Sequence, residues 1–374
     1  MRKVLIIANY KGQVGGISGQ VSLLRDCLVN DASSMPNEPL RSMSREQCSL
    51  NDGYDAEIFS TQGNVVKRLW KFIELIFVAR KYDVLHIHGC SDWGMLPIVY
   101  GVIAGKMWRK RIIVTYHGGD ADKYFAKHRA FARRWLNRAD KVIVLNGYLE
   151  KVFAKYDIPC VVIPNIVLLR EDVYVEKKEV KPKFISVRHM SPLYRVDMVI
   201  KAFAEIVDKY PEAMLTVLGD GELREELEML AVSDERLAGS VQFIGQVPNE
   251  RMYEYLREND IMLSAPRIDN MPVSLMEAMN AGVLVISSKV GGVPYMIEHQ
   301  KTGLMFEVRG KSEESRAESR ELRAESQEQA LAEQILWALE HQKESVAMIE
   351  AAHEEVKKYT WKKVREQLLP MYGV

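Results

Sequence analysis

Short apolar runs alternate with longer mixed segments along the whole chain, which is the pattern of strands that are each followed by a helix. A charged linker that ends in proline, residues 175–182, divides these runs into two series. This alternation predicts an α/β fold with two Rossmann-like, doubly wound parallel sheets. The predicted strands are Lys3–Asn9, Ala56–Ser60, Val84–His88, Arg111–Tyr116 and Lys141–Leu145 in the first series, and Lys181–Val187, Ala213–Gly219, Val241–Ile244, Asp260–Ser264 and Val283–Ser287 in the second.

The length of 374 residues exceeds what one hydrophobic core usually supports, so we expect two domains. The first extends over residues 1–178 and the second over residues 179–350, and residues 351–374 form a terminal helix. Two polar stretches, 31–52 and 311–329, fit neither core and are predicted to be surface insertions. The string Arg-Ala-Glu-Ser occurs twice in the second stretch, which indicates a solvated helix or disorder.

The net charge is zero, with 51 basic and 51 acidic residues, but the two halves of the chain are polarised. Residues 1–180 contain 27 basic and 19 acidic residues, whereas the remainder contains 24 and 32. This polarity favours an anionic partner for the first half. No apolar run is as long as the roughly 20 residues of a membrane-spanning helix, and the four cysteines show no pairing pattern. We therefore expect a cytoplasmic protein with neither a zinc site nor a disulfide framework.

The segment of residues 266–306 places two carboxylates around one helix start. Asp269 and Asn270 suit an N-cap and Pro272 suits the first helical position, so the pattern predicts a helix over about 271–281. A helix start attracts phosphate, because its backbone N–H groups and the positive end of its dipole face outward. Asp269 and Glu277 would flank such an anion and accept hydrogen bonds from sugar hydroxyls. The alternative is an ordinary strand–helix unit whose acidic residues are a cap and a solvated face.

The acidic pair is followed by an apolar strand and by Gly291-Gly292-Val293-Pro294-Tyr295, a tight turn that we expect to lead into another helix. This order resembles the signature of the retaining glycosyltransferases of family 4 (glycosyl transferases group 1). Asp269 stands where that family usually has Glu, Glu277 matches its second acid, and Tyr295 replaces the Glu after the proline. The resemblance implies the GT-B fold, with two Rossmann-like domains facing a cleft and a terminal helix that crosses back to pack on the first domain.

Two motifs of the first half lie at predicted strand ends, where ligands bind in such sheets. Gly15-Gly16 follows the first strand without a G-x-G-x-x-G fingerprint, which disfavours a nicotinamide cofactor but allows close approach to an anionic group; a flexible turn is the alternative. His117 can donate a hydrogen bond to a sugar hydroxyl, and the family has a matching His against the donor sugar, although a lone His is more often structural. We expect His86 and His88 in the core or beside the site, one on each face of their strand.

Two motifs of the second half also follow predicted strands. Arg188 can bind diphosphate with its planar fork, and the family has an Arg at this strand end, with a Lys a few residues later that grips the leaving nucleotide. That Lys is absent here, and Arg195 is the nearest substitute cation. Gly219-Asp220-Gly221 would mark a turn in any protein, but in the family the corresponding turn frames the nucleotide base.

Together these residues predict a glycosyltransferase that takes a UDP- or GDP-sugar as donor and needs neither a metal nor another cofactor. Diphosphate would bind at Arg188 and the helix start, ribose near Glu277, and sugar hydroxyls near Asp269 and His117. Catalysis would then be mainly electrostatic stabilisation of the departing diphosphate. The resemblance implies that the anomeric configuration is retained. The helix-start residues expected to contact the donor are Asn270, Met271, Pro272, Val273 and Ser274.

Three alternatives remain open at this stage. The first is another chemistry on the same fold, such as a nucleotide-sugar epimerase, or a phosphorylase, for which no pyridoxal lysine is evident. The second is a non-catalytic partner subunit, which the absent Lys and the change at Tyr295 suggest. Loss of Glu277 or Arg188 would favour it, but both residues are present. The third is a nicotinamide dehydrogenase, which the missing glycine fingerprint disfavours.

Residues 64–141 contain 16 basic and 6 acidic residues, interleaved with aromatic side chains. This mixture suits a protein that rests on an anionic membrane surface. The resemblance implies that this domain binds the acceptor, a glycan or lipid-linked sugar of bacterial-type polysaccharide, lipopolysaccharide or glycolipid synthesis. The alternative is that the aromatics are core and the cations a solvated face, and no recognition motif supports a nucleic-acid partner. The aromatics are Trp70, Phe72, Phe77, Trp108, Tyr124, Phe125, Phe131 and Trp135.

Overall fold

A computed structural model describes residues 1–10, 16–29, 53–308 and 320–373. The chain forms two compact units, of which unit 1 comprises Met1–Leu168 together with Lys358–Val374, and unit 2 comprises Leu169–Lys357. The division therefore lies between residues 168 and 169, whereas the sequence pattern placed it between residues 178 and 179. The segment that returns to unit 1 begins at residue 358, whereas the sequence pattern predicted a terminal helix that begins at residue 351.

Unit 1 is built on a six-stranded parallel sheet with the strand order β2-β1-β3-β4-β5-β6. Five of its strands match predicted runs within two residues at each end, and the two-residue β6 was not predicted. The strands are β1 (Arg2–Ala8), β2 (Tyr54–Ser60), β3 (Val84–Gly89), β4 (Arg111–Tyr116), β5 (Lys141–Val144) and β6 (Val161–Val162). The α-helices are α1 (Gly16–Val29), α2 (Val65–Ala79), α3 (Leu96–Met107), α4 (Ala121–Leu136) and α5 (Gly147–Lys155).

Unit 2 contains a second six-stranded parallel sheet, with the order β12-β11-β10-β7-β8-β9. The three-residue β12 is its one strand that the pattern did not predict. The strands are β7 (Lys183–Val187), β8 (Met214–Leu218), β9 (Val241–Gly245), β10 (Ile261–Ser264), β11 (Leu284–Ser288) and β12 (Leu304–Phe306). The α-helices are α6 (Val196–Lys209), α7 (Arg224–Ser233), α8 (Asn249–Glu258), α9 (Val273–Ala281), α10 (Arg320–Glu340) and α11 (Gln342–Val356).

The inner strands are apolar because helices cover both faces of each sheet. In unit 1, Leu5 and Ile7 of β1 belong to one buried cluster, while Val4 and Ile6 belong to the cluster on the other face. The returning segment closes this second cluster. Its helix α12 (Trp361–Leu368) buries one face, and Tyr372 follows it into the same cluster. The buried residues of α12 are Trp361, Val364 and Leu368.

Several local predictions need correction. Helix α9 begins at Val273, two residues later than expected, because Pro272 has extended backbone angles and occupies the N-cap itself. The turn at Gly291-Gly292 leads only into a single 3-10 turn, Val293–Tyr295, and not into a longer helix. Cys90 and Cys160 are free thiols, whereas Cys27 is disulfide-bonded, which the sequence did not predict.

The two predicted insertions are only partly covered by the structure. Residues 31–52 and 311–319 lie outside the described residues. Residues 320–329 belong to α10, which agrees with the helical alternative for that stretch. Further along, Leu331 and Ile335 of the same helix are buried in the core of unit 2, so this part of α10 belongs to the fold.

Candidate active site

In unit 2, the strand order reverses between β7 and β10, since the chain continues from β7 to β8 and β9 on one side and from β10 to β11 and β12 on the other. Ligands of open parallel sheets bind at the carboxyl ends of the strands at such a point. Arg188 is the first residue after β7, and Ser264 is the last residue of β10. Asp269 lies in the loop that connects β10 to α9.

Arg188 is held rigidly at this position. Its Nε and Nη2 atoms donate to Ser264 Oγ at 3.1 and 2.8 Å, and its Nη1 donates to Asp269 Oδ2 at 3.0 Å. The guanidinium also lies over the ring of Tyr194, 5.3 Å from its centroid. A guanidinium has five N–H groups, so these bonds leave one on each terminal nitrogen without a partner among the described residues. These two groups form a fork of the kind that binds phosphate oxygens.

Asp269 is positioned through its backbone as well as its carboxylate. Its Oδ1 accepts from the backbone N–H of Asn270 at 2.8 Å, and its carbonyl oxygen accepts from Gly292 N at 2.9 Å. Gly291 has a φ of +52°, and a Cβ added there would lie 2.1 Å from the Asp269 carbonyl oxygen. The glycine pair of the sequence motif therefore serves to let this turn close on the backbone of Asp269.

Glu277 is the fifth residue of α9 and is half-buried. Burial raises the pKa of its carboxyl group to about 7. The carboxylate has no hydrogen-bond partner within the part of the chain that the structure describes. A desolvated acceptor of this kind gains most from a ligand that brings hydroxyl donors.

The residues at the start of α9 are placed differently from one another. Asn270 and Met271 are buried at 3% and 5% exposure, and Pro272 is buried beside them. Val273 and Ser274 form the first turn and are half-buried. The helix start that could attract an anion is therefore the turn at Val273 and Ser274, directly after the loop that carries Asp269.

The turn after β8 packs along the residues that follow β7. Gly219 has a φ of +124°, and an added Cβ would lie 2.0 Å from the Arg188 carbonyl oxygen; at Gly221 it would lie 2.3 Å from the carbonyl oxygen of Met190. Asp220 accepts from Met190 N through its own carbonyl oxygen at 2.9 Å. The two glycines are thus explained by the close approach of two loops, and the Asp220 side chain remains about half exposed.

Arg195 is not oriented like Arg188. Its backbone has a φ of 51° and a ψ of 46° at the N-cap of α6, and its Nε lies 3.1 Å from both carboxylate oxygens of Asp197. The side chain is only 13% exposed. The charge of Arg195 is therefore already paired, and any contact with a diphosphate would share this guanidinium with Asp197.

His117 belongs to unit 1, where it follows β4. Its backbone N–H donates to the Gly89 carbonyl oxygen at 2.8 Å, and its Nε2 lies 2.9 Å from His88 Nδ1. Burial lowers the pKa of His117 to about 4, so the ring is neutral near pH 7. One of the two facing nitrogens must then carry the shared proton, which fixes the tautomers of the pair relative to each other.

The expectation that His86 and His88 point to opposite faces of β3 is wrong. Residues two apart on a strand share a face, and the two ring centroids are 4.5 Å apart. His86 Nδ1 lies 2.8 Å from the Tyr372 hydroxyl, and its Nε2 lies 2.8 Å from Thr115 Oγ1. Burial, followed by the nearby His117, lowers the pKa of His86 to about 3. These rings line a small cavity with Gln20, Asn165 and Leu368.

Of the first glycine motif, Gly15 lies outside the described residues, and Gly16 is the first residue of α1 with a φ of +55°. Among the residues that the structure describes, no group of three or more His, Cys, Asp or Glu side chains could hold a metal ion. The chain contains an Asp-x-Asp string, Asp120-Ala121-Asp122, but Asp120 pairs with Lys123 at 3.1 Å and Asp122 with Lys155 at 2.7 Å.

Sequence reasoning missed several residues of these two clusters. Ser264, which orients Arg188, and the Gly291-Gly292 contact with Asp269 depend on pairing across the sheet and give no local signal. The contact of Tyr372 with His86 joins residues 286 positions apart. A signal was available for His88, because its spacing of two from His86 places both rings on one face.

Known proteins match both halves of the chain. Residues 171–328 match the family model for glycosyl transferases group 1, and residues 53–170 match the model for glycosyltransferase family 4. The chain is 27% identical over 270 residues to N-acetyl-alpha-D-glucosaminyl L-malate synthase of Bacillus anthracis, a match that covers 68% of this chain and 66% of that protein. It is 37% identical over 94 residues to the amylovoran biosynthesis glycosyltransferase AmsK of Erwinia amylovora, covering 24% and 23%. The matches thus span less than two thirds of these relatives.

Solved structures share the fold over the whole chain. HepE of Anabaena in complex with UDP superposes with a TM-score of 0.72 at 17% identity, covering 99% of both chains. Sucrose-phosphate synthase of Thermosynechococcus elongatus superposes with a TM-score of 0.73 at 17% identity, covering 100% of this chain and 98% of the other. With two doubly wound parallel sheets and a family match to each, the chain is a glycosyltransferase of the GT-B, family 4 type.

Proposed function

We propose that this enzyme transfers a sugar from a nucleoside diphosphate sugar to an acceptor hydroxyl with retention of the anomeric configuration and without a metal ion. The observation that carries the proposal is the Arg188 fork at the strand-order reversal of unit 2. Three of its N–H groups are used by Ser264 and Asp269, and two remain for a diphosphate. The start of α9, directly after the loop that carries Asp269, supplies further N–H groups.

The residues around the Arg188 fork suggest which part of the donor each of them binds. Glu277 offers a desolvated carboxylate for the two hydroxyls of a ribose, and Asp269 offers its carboxylate to the transferred sugar. As the bond to the sugar breaks, negative charge grows on the diphosphate, and Arg188 with the α9 N–H groups stabilises it. His117 is proposed to meet the sugar as a neutral imidazole. The acceptor hydroxyl attacks on the face from which the diphosphate leaves and passes its proton to the departing diphosphate oxygen. No carboxylate then needs to form a covalent bond.

The base of the donor is proposed to be uracil. Structures of HepE in complex with UDP and with UDP-glucose share this fold. The acceptor is proposed to be a hydroxyl of a glycan or lipid-linked sugar in bacterial-type polysaccharide, lipopolysaccharide or glycolipid synthesis. The AmsK match, to a protein of amylovoran biosynthesis, supports this class of acceptor.

Calorimetric titration of UDP and GDP tests the donor site. Arg188→Ala removes a charge-assisted interaction of about 1.5–3 kcal/mol, so affinity for the nucleotide should fall about tenfold or more. Arg236→Ala is the matched control, because Arg236 also pairs with carboxylates, Asp208 and Asp234, but lies before the amino end of β9. Unchanged affinity in both Arg188→Ala and Glu277→Gln would place the donor site elsewhere. Proton NMR of the product linkage tests retention separately.

A further inference from the structure

Large exposed hydrophobic side chains are concentrated on one helix of unit 1. Helix α2 carries five of them, and we call their side of the helix the outer face. It consists of Val66, Leu69, Trp70, Ile73 and Phe77, which are 65%, 58%, 67%, 40% and 67% exposed. Their spacing of three and four residues places all five on one side of an α-helix. Soluble proteins rarely leave such a contiguous apolar stripe in water without a use for it.

The opposite side of α2 fixes the helix to the body of unit 1. Leu75 and Ala79 are fully buried in the core, and the ring of Phe72 stacks on Tyr100 with centroids 4.5 Å apart. The Trp108 indole N–H donates to the Ile76 carbonyl oxygen at 2.6 Å. The outer face is therefore presented on a well-anchored helix, since its inner side chains already fill the core.

Cations lie at both ends of the outer face. Within α2, Lys67 is exposed, and Arg68 lies 5.6 Å over the ring of Trp93, which is itself 68% exposed. The acidic residue of the helix, Glu74, is paired with Lys71 at 2.8 Å. At the other end, Lys81 is exposed, and the Arg80 guanidinium lies 5.6 Å over Trp108. Trp108 follows α3 and precedes two more cations, Arg109 and Lys110.

We propose that the outer face of α2 docks on an anionic lipid bilayer, with the helix lying along the membrane surface. The Trp, Phe, Leu and Ile side chains of the outer face enter the boundary between headgroups and acyl chains. The Lys and Arg side chains at the ends of this face contact anionic headgroups. A second copy of the chain is a poorer occupant, because the cations of both copies would face each other. The inference rests on unit 1 alone and stands independently of the proposed donor site.

Flotation of the purified full chain tests the proposal. Vesicles of phosphatidylcholine alone are compared with vesicles that contain an increasing share of phosphatidylglycerol. Binding should rise with the anionic lipid and fall with salt. The variant Leu69→Ser/Trp70→Ser/Phe77→Ser should lower the partition coefficient at least about tenfold, since three apolar anchors are lost. Lys67→Glu/Lys81→Glu should lower it about fivefold or more per cation.

Two control variants separate docking from general surface effects. Met229→Ser/Val232→Ser removes hydrophobic side chains of α7 in unit 2 that are 64% and 84% exposed. Lys362→Glu/Lys363→Glu makes the same charge change as the α2 variant on α12, which packs on the other face of the unit 1 sheet. Both controls should float like the unaltered chain.

Three results would overturn the proposal. The first is no flotation with any vesicle. The second is equal flotation of the triple outer-face variant and the unaltered chain. The third is a triple variant that changes from oligomer to monomer in size exclusion while its flotation stays the same. The last result would assign the outer face to contact between copies. Calorimetric UDP titration of each variant reports on unit 2 separately, so a failure of the donor site and a failure of membrane docking are distinguishable.

Discussion

The ion pair between Arg188 and Asp269 means that one carboxylate competes with the diphosphate for the same guanidinium. The two groups are 3.0 Å apart, and their side chains are only 7% and 17% exposed. We expect Asp269→Asn to depress turnover, because the sugar loses a charged acceptor that matters most in the transition state. Nucleotide affinity should be preserved, since Arg188 keeps its hydrogen bonds to Ser264 and the diphosphate no longer competes with a carboxylate for the guanidinium.

Initial rates and calorimetric titration of the same Asp269→Asn preparation check this prediction. Asp220→Asn is a suitable comparison, because Asp220 lies in the neighbouring turn with a side chain that is 54% exposed. It should leave both quantities close to those of the unaltered enzyme. A parallel loss of UDP affinity in Asp269→Asn would mean that this carboxylate holds the nucleotide and not the sugar.

Glu277 predicts a pH dependence of donor binding. Its pKa is raised to about 7 by burial, so the carboxylate form that accepts ribose hydroxyls is lost as the pH falls through that value. Affinity for UDP-glucose should therefore fall about tenfold between one pH unit above and one below the pKa, and Glu277→Gln should abolish this dependence. UDP-glucose is the suitable probe because its diphosphate does not titrate there. A pH profile that survives in Glu277→Gln would assign the effect to another group.

The same shift has a consequence for stability. A carboxyl group whose folded pKa is raised favours the folded state at low pH, and this contribution is lost as the pH rises from the unfolded value towards 7. Glu277→Gln should accordingly unfold at a higher urea concentration than the unaltered enzyme above pH 7 and show little difference near pH 5. Equal midpoints at both pH values would indicate that the carboxylate is solvated.

Single residues at strand ends were predictable from the sequence, but their partners were not. Arg188 and Asp269 follow apolar runs, so the strand pattern alone places them at one edge of a sheet. Ser264 was not singled out, because a serine at a strand end has no distinguishing signal until the neighbouring strand is known. The pairing of Arg195 with Asp197 has a local origin two residues away, yet it depends on a left-handed backbone at Arg195 that the sequence does not announce.

At the scale of elements, the turn at Gly291-Gly292, which follows β11, holds the loop that carries Asp269. Gly291→Ala should destabilise the protein, because alanine at a φ of +52° is strained and its Cβ would meet the Asp269 carbonyl oxygen. Gly239→Ala is the matched control, since Gly239 has a φ of +79° but nothing within 4 Å of an added Cβ. We expect Gly291→Ala to cost at least about 1 kcal/mol more than Gly239→Ala in urea unfolding.

The rate of sugar transfer gives a second measure of how the Gly291-Gly292 turn supports Asp269. Gly291→Ala should lower the rate of sugar transfer more than Gly239→Ala, because it moves the backbone on which the Asp269 carboxylate is mounted. If the two alanine variants unfold and turn over alike, the contact between the turn and Asp269 has no functional weight.

Element boundaries show what limits prediction from the sequence. Ten strands were predicted within two residues at each end. Most of them lie inside a sheet and are apolar runs buried on both sides, whereas the edge strands β2 and β9 keep polar or exposed positions. The strands β6 and β12 contain two and three residues, too few for a periodic pattern. The start of α9 was placed too early, since a proline suits the first helical position and can equally occupy an N-cap with extended angles, as Pro272 does here.

For the whole molecule, unit 1 needs both ends of the chain. Residues 358–373 return to it and fill one face of its sheet, and Trp361 is fully buried there. Trp361→Ala should therefore cost about 3–5 kcal/mol of unfolding free energy, in the range of large side chains removed from a core. Trp70→Ala is the matched control, because Trp70 is 67% exposed and its loss should change stability by less than about 0.5 kcal/mol.

Urea unfolding followed by circular dichroism, with UDP titrated into each folded variant, checks this prediction at the level of the two units. Because the proposed nucleotide site lies wholly in unit 2, Trp361→Ala should retain UDP affinity under conditions in which it is still folded. It should nevertheless begin to unfold at lower urea than Trp70→Ala. A Trp361→Ala protein that unfolds like the control would show that α12 contributes little to unit 1. Loss of UDP affinity in the folded variant would show instead that the returning segment acts on unit 2 as well.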